Sequence, residues 1–161
     1  MGSLNAVYDA LYILRGEVLC LASMLPEFDV VMAMQGTGEV TGSQLMAEIG
    51  NVRRFTHKGA LVAFSGVDAL FFQSATFDSK SRRISKRGSP HLRKALFMVS
   101  STILQHSGPA NPIFQFMDKK RAEGKHFSAY TVAGAAKFLR IFYARVKEHL
   151  MALDAETSTA A

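Results

Sequence analysis

The sequence is short of the residues that several protein classes depend on. One cysteine, Cys20, in 161 residues excludes a disulfide framework and a multi-cysteine zinc site. No uninterrupted apolar run reaches the ~20 residues of a membrane-spanning helix. The N-terminus, MGSLNAVYDALY, has no basic region ahead of an apolar core, which excludes a secretory signal. The default compartment is therefore the cytosol, and no membrane partner is expected. Acidic clusters are missing too, and two-metal phosphoryl chemistry needs several converging carboxylates. The five histidines form no i, i+4 pair and no triad spacing, so they read as surface or capping residues. What is present is 48% hydrophobic residues. That excludes a disordered chain and leaves room for one domain with a core, or one domain plus an arm.

Acidic charge is scarce after residue 50. Residues 1–50 hold one base, Arg15, against six acids, whereas residues 51–161 hold 18 bases against seven acids. The overall charge of +6 thus hides a strongly basic C-terminal two-thirds. Such asymmetry points to a polyanion partner, with nucleic acid first.

Leu4, Val7, Leu11, Leu14, Val18, Leu21 and Leu25 alternate at spacings of three and four until Pro26. The spacing predicts a helix with a narrow coiled-coil-like seam, paired with a second copy or with a helix of the same chain. Cys20 lies between Leu19 and Leu21 and is expected to be a buried, inert thiol. A short apolar helix over 30–34, a Gly36-Thr37-Gly38 turn and a second helix follow. A helix-hairpin-helix for backbone phosphates is one reading of that turn, and an ordinary αα-corner is the plainer one.

Residues 69–77 are β-prone and aromatic and predict a short strand or hairpin arm. Ser89-Pro90 and Asn111-Pro112 are helix starts, and Gly108 and Gly124 are the matching stops. A last helix over about 128–153 carries an apolar face of Val132, Ala135, Leu139, Phe142, Val146 and Leu150. The fold class is mainly α: a helical domain with a helix-hairpin-helix-like turn and a short β element, preceded by a coiled-coil-like helix. The expected divisions are a connector helix over 1–26, the helical domain over 27–153 and a disordered tail over 154–161.

The densest charge lies in the window 80–94, which has seven bases and no acid. Close cations repel by about 1 kcal/mol per pair even in water, so an anion is expected to neutralise them. Lys80, Arg82, Arg83, Lys86, Arg87, Arg93 and Lys94 are the candidate phosphate contacts. Ser89 and the helix N-terminus after it add neutral donors, and Lys137 adds a base from the last helix. Nucleophile candidates are Ser74, Ser79, Ser81, Ser85, Ser89 and Cys20, and composition does not choose among them.

The ordered series Gln35-Gly-Thr-Gly38, Leu45-Met-Ala-Glu-Ile-Gly50, Arg54-Phe55, Leu61-Val-Ala-Phe-Ser-Gly66, Gln73-Ser74, Ile84-Ser-Lys-Arg-Gly88, Leu92-Arg-Lys-Ala-Leu96, Gly124-Lys125 and Ala136-Lys-Phe-Leu139 resembles a known family. It is similar to the C-terminal, serine-containing domain of insertion-sequence transposases of the IS one-ten class, relatives of the Piv DNA invertase. The resemblance covers about residues 28–148, and the seam helix resembles the connector that precedes this domain.

The resemblance implies a DNA transposase or recombinase. Its Ser74 would attack a DNA phosphodiester and form a serine–DNA link. The partners it implies are transposon ends and target DNA, a guide RNA and further copies of the chain, in a bacterial, nucleoid-associated setting. It implies no cofactor in this chain, but Mg²⁺ in a separate RuvC-like domain that carries an acidic quartet. Departures are Ala75 in place of a usual glycine, and Gln35, Thr37 and Glu39 around the hairpin, where Glu39 would repel phosphate. The quartet domain is absent from the 161 residues. The resemblance therefore implies part of a longer enzyme; the alternative is a non-catalytic nucleic-acid-binding or dimerisation fragment of a decayed transposase.

Overall fold

The computed structural model describes residues 2–69, 73–74, 77–78 and 83–159. In order these form α1 (Gly2–Ser23), α2 (Phe28–Met32), α3 (Glu39–Ile49), a 3-10 turn (Val52–Arg54), α4 (Lys58–Ser65), β1 (Gln73–Ser74), β2 (Phe77–Asp78), α5 (Pro90–His106), α6 (Pro112–Ala122) and α7 (Phe127–Thr159). The fold is mainly α, with one two-stranded antiparallel β element among the described residues, as the sequence pattern predicts.

Side-chain caps set the starts of α5 and α6. Ser89 Oγ accepts the N–H groups of His91 and Leu92 at 3.2 and 3.3 Å. Asn111 Oδ1 accepts those of Ile113 and Phe114 at 2.7 and 3.2 Å. Proline occupies the first helical position in both, where its missing N–H has no partner to lose. His57 caps α4 through Nδ1, as a capping histidine should.

Helix α7 is the spine. Its 33 residues span roughly 50 Å and pack against α2, α4, α5, α6 and the 3-10 turn. Ala135, Leu139, Phe142, Val146 and Leu150 are buried on the expected face, while Phe138 and Tyr143 widen it. A helix touched from several sides needs a broader apolar arc than a single stripe. Leu45 and Ile49 of α3, Leu61 of α4, Leu92, Leu96 and Ile103 of α5 and Met117 of α6 complete the core.

The turn between α2 and α3 closes inward. Gly36 has φ +87°, and a Cβ there would stand 2.6 Å from Ile103 Cγ1 of α5. Thr37 Oγ1 donates to Val31 O at 2.8 Å, and Asn111 Nδ2 donates to Gln35 Oε1. Gln35 and Thr37 thus tie the turn to α2 and to the start of α6. Gly38 is exposed, extended and without a side-chain cap, and Glu39 follows it in the first turn of α3.

Three sequence expectations are corrected. The seam of α1 is not buried against a helix of the same chain, one of its two expected partners: Leu4, Leu11, Leu14, Val18 and Leu21 are 45–65% exposed, which leaves the second copy as the expectation. Helix α1 contacts α3 and α2, and along it Leu19 is half-buried and Ala22 buried. With the seam uncovered, Cys20 is exposed rather than buried. The disordered tail over 154–161 is replaced as far as Thr159 by continued helix. Arg53 bonds the start of that extension, at Leu150 O at 3.1 Å and Asp154 Oδ2 at 2.7 Å.

Candidate nucleic-acid interface

Segment 84–88 is held by backbone contacts to the end of α4. Gly66 caps α4 in the left-handed region, φ +69°. Its carbonyl accepts Lys86 N–H at 3.0 Å, and Asp68 O accepts Ser85 N–H at 2.9 Å. Ser85 Oγ donates to the Asp68 carboxylate, and Ala69 bridges Ile84 in antiparallel fashion. A Cβ on Gly88 would fall 1.9 Å from Phe64 O, and one on Gly66 would fall 2.8 Å from the backbone nitrogen of Arg87. Only glycine at both positions allows the two chains to approach so closely.

This docking turns bases outward. Lys86 has φ +54°, a left-handed conformation that costs a lysine about 1 kcal/mol and that the bonds to Gly66 and Asp68 hold in place. Arg83, Lys86, Arg87 and Lys94 are exposed. The ion pairs among the described residues are Arg53–Asp154, Lys120–Glu123 and Arg121–Asp118, so none of these four has a carboxylate partner there. The contrast is Lys120, which bonds Glu123 at 2.7 Å. That bond holds the Glu123 carboxyl below the usual carboxylate range.

Other predicted contacts are engaged. Ser89 Oγ satisfies the α5 N-terminus, so the N–H groups of His91 and Leu92 are not open to a phosphate, although the helix dipole still favours one. Arg93 is half-buried and donates to Gly88 O at 2.6 Å, which fixes the segment. Lys137 donates to Pro112 O at 2.9 Å and lies 4.8 Å from the Phe116 ring centre, so its ammonium is turned to α6. Gly36 packs against α5. Lys80, Arg82, Ser79, Ser81 and Ala75 lie outside the described residues.

Ser74 sits in β1, where it pairs with Phe77 of β2, and Gln73 pairs with Asp78. Its side chain is outside the described residues. The arm that carries it rises from the Ala69–Ile84 bridge, at the foot of the basic segment. Ser74 is five residue steps from Ala69, so its backbone lies at most about 18 Å from that foot. The anchors Phe64, Gly66 and Asp68 are what sequence reasoning misses.

A family model described as "Transposase IS116/IS110/IS902 family" matches residues 29–115, from α2 into α6. The chain is also similar to the "Insertion element IS900 uncharacterized 42 kDa protein" of Mycobacterium paratuberculosis, at 23% identity over 134 residues. That match covers 83% of this chain and 33% of the relative. The chain therefore spans about a third of the length of the curated relative it matches.

Gly88→Ala should push segment 84–88 off α4. We expect a loss of about 1–3 kcal/mol by thermal unfolding and faster tryptic cleavage after Lys86 and Arg87. Unchanged cleavage at those bonds would show that the segment does not depend on the close approach.

Proposed function

This chain belongs to the IS116/IS110/IS902 transposase family, and from that premise we propose that it is the nucleic-acid-binding, serine-bearing part of a DNA transposase. The observation that carries the reading is the set of exposed, carboxylate-free bases Arg83, Lys86, Arg87 and Lys94 at the foot of the arm that bears Ser74. Neutral backbone contacts rather than ion pairs fix the segment, so its charge is left for phosphates. Arg93 and Ser89 act as positioning residues that hold the segment and start α5. The partners are transposon ends and target DNA, with a guide RNA as a further polyanion.

The chemistry proposed for Ser74 is transesterification. Its Oγ forms a bond to phosphorus, the bond from phosphorus to a DNA oxygen breaks, and the leaving hydroxyl takes up the proton. A serine hydroxyl is a poor nucleophile alone and needs a base or metal to activate it. In this reading Mg²⁺ in a separate RuvC-like domain supplies that activation, and the bases here offset the charge that develops on the phosphate. Ser85, bonded to Asp68, is a structural tie.

The exposed seam of α1 favours self-association. Beside it lies a groove of about 670 Å³ lined by Leu14, Val18, Val40 and Ala47, among others. No helix among the described residues is long and apolar enough to cross a membrane, and the proposed setting is the bacterial cytoplasm. The second reading, a non-catalytic fragment that only pairs and binds nucleic acid, draws on the same exposed seam.

Changing Arg83, Lys86 and Arg87 together to Ala should weaken binding to duplex DNA. It should also flatten the dependence of log K on log salt by about 0.9 for each phosphate no longer neutralised; an unchanged slope would move the phosphate-binding surface elsewhere. When the chain is joined to a RuvC-like domain with Mg²⁺ and an element end, a covalent serine–DNA adduct should form. It should vanish in Ser74→Ala and persist in a folded Ser85→Ala; an adduct retained in Ser74→Ala rejects the nucleophile. Leu14→Asp, at a site 55% exposed, should leave the fold intact and lower the mass seen by light scattering, and equal masses would remove the pairing role of α1.

A further inference from the structure

A second group of cations stands beside the basic segment, and none of the features above accounts for it. Arg54 ends the 3-10 turn. Its guanidinium carbon lies 4.7 Å from the Phe55 ring centre and 4.5 Å from that of Phe64. The two rings are themselves 5.3 Å apart. Arg54 is exposed and has no ion pair among the described residues.

On the other side of Phe55, Tyr143 of α7 donates its hydroxyl proton to Phe55 O at 3.0 Å. Lys147 Nζ donates to the Tyr143 hydroxyl oxygen at 3.1 Å. That uses one of three ammonium protons and leaves two. Arg140, exposed, lies two turns before Lys147 on the same face of α7. The acids nearest in sequence on α7 do not neutralise these cations: Asp154 pairs with Arg53, and Glu148 forms no ion pair among the described residues.

Carboxylates usually hold surface cations in place; here rings and a phenol do so. A cation held by a quadrupole or a neutral oxygen keeps its full charge for an outside anion. Arg54 is also pre-ordered, so little side-chain freedom remains to be lost on binding. The group adjoins the basic segment through one residue: the Phe64 ring seats Arg54, and the Phe64 carbonyl faces Gly88.

We propose that Arg54, Arg140 and Lys147 form a second phosphate-binding track that continues the 83–88 surface across α4 onto α7, so that a nucleic-acid backbone is held along two lines rather than one. The inference rests on the reading of the chain as nucleic-acid-binding. It adds the residues of a surface that lies outside the charge-dense window.

The test uses the full chain with a mixed-sequence DNA duplex, and in parallel an RNA duplex of the same sequence, titrated over a range of salt. Arg54→Gln with Lys147→Gln should weaken binding several-fold and lower the salt slope by about 2. Arg140→Gln with Lys147→Gln leaves the aromatic seat untouched, and it should do the same if the first pair perturbs folding. Lys119→Gln with Lys125→Gln removes equal charge elsewhere and should leave the slope unchanged. The probe that shows the loss identifies the backbone bound. Wild-type slopes in both test variants, or an equal fall in the control, would overturn the second track. If the Arg83, Lys86 and Arg87 variant still loses binding in that case, the proposed function stands without this track. No binding of either probe by the wild-type chain would overturn both.

Discussion

The arrangement depends on one close approach of backbone to backbone, where Gly88 lies against the Phe64 carbonyl and Gly66 lies against the N–H groups of Arg87 and Gly88. Because neither glycine has a Cβ, the chain returning from the β arm can lie flat on the end of α4. Every later feature follows from that contact. The arm is pinched at Ala69 and Ile84. Lys86 is forced into a left-handed turn with its side chain in solvent, and Ser89 arrives where it can start α5. Arg93 then reaches back to Gly88 O and closes the loop.

The contact also explains how seven bases can share a short window. Ion pairs would have satisfied the segment internally and used up its charge. Neutral hydrogen bonds to Gly66 and Asp68 carbonyls fix the backbone instead. Exposed ion pairs contribute only about 0–1 kcal/mol each, so the fold loses little by omitting them. The pattern repeats at Arg54 and Lys147, where aromatic rings and a phenol replace carboxylates. Lys120 and Arg121 show the ordinary alternative, with acids one turn away.

The helices are legible in the sequence because their causes are local. Ser89-Pro90 and Asn111-Pro112 each place a capping oxygen before a residue that lacks an N–H, and the apolar face of α7 repeats at helical spacing. The mainly α class follows from these, and the short β arm follows from the β-prone, aromatic residues 69–77. Features set by distant contacts are not legible. Nothing in the neighbourhood of Asp154 shows that Arg53, 101 residues earlier, is its partner. Lys137 has the spacing of a surface base, yet Pro112 and Phe116 draw it onto α6. Cys20 reads as buried because a seam implies a partner, and no helix among the described residues covers that seam. In the window, charge count marks the segment correctly as unusual. It does not tell Arg93, which holds the loop, from Lys86 and Arg87, which face solvent. Arg54 and Lys147 are hidden because their neighbours in space come from α4, α7 and the 3-10 turn together.

The central claim is that the segment docked on α4 lies against a nucleic-acid backbone. Amine-reactive footprinting of the full chain, with and without a saturating DNA duplex and read by mass spectrometry, tests it directly. The account predicts that bound DNA protects Lys86 and Lys94 while Lys119 and Lys125 react as in the free protein. Lys86 and Lys94 reacting at their free rates while DNA remains bound would contradict it.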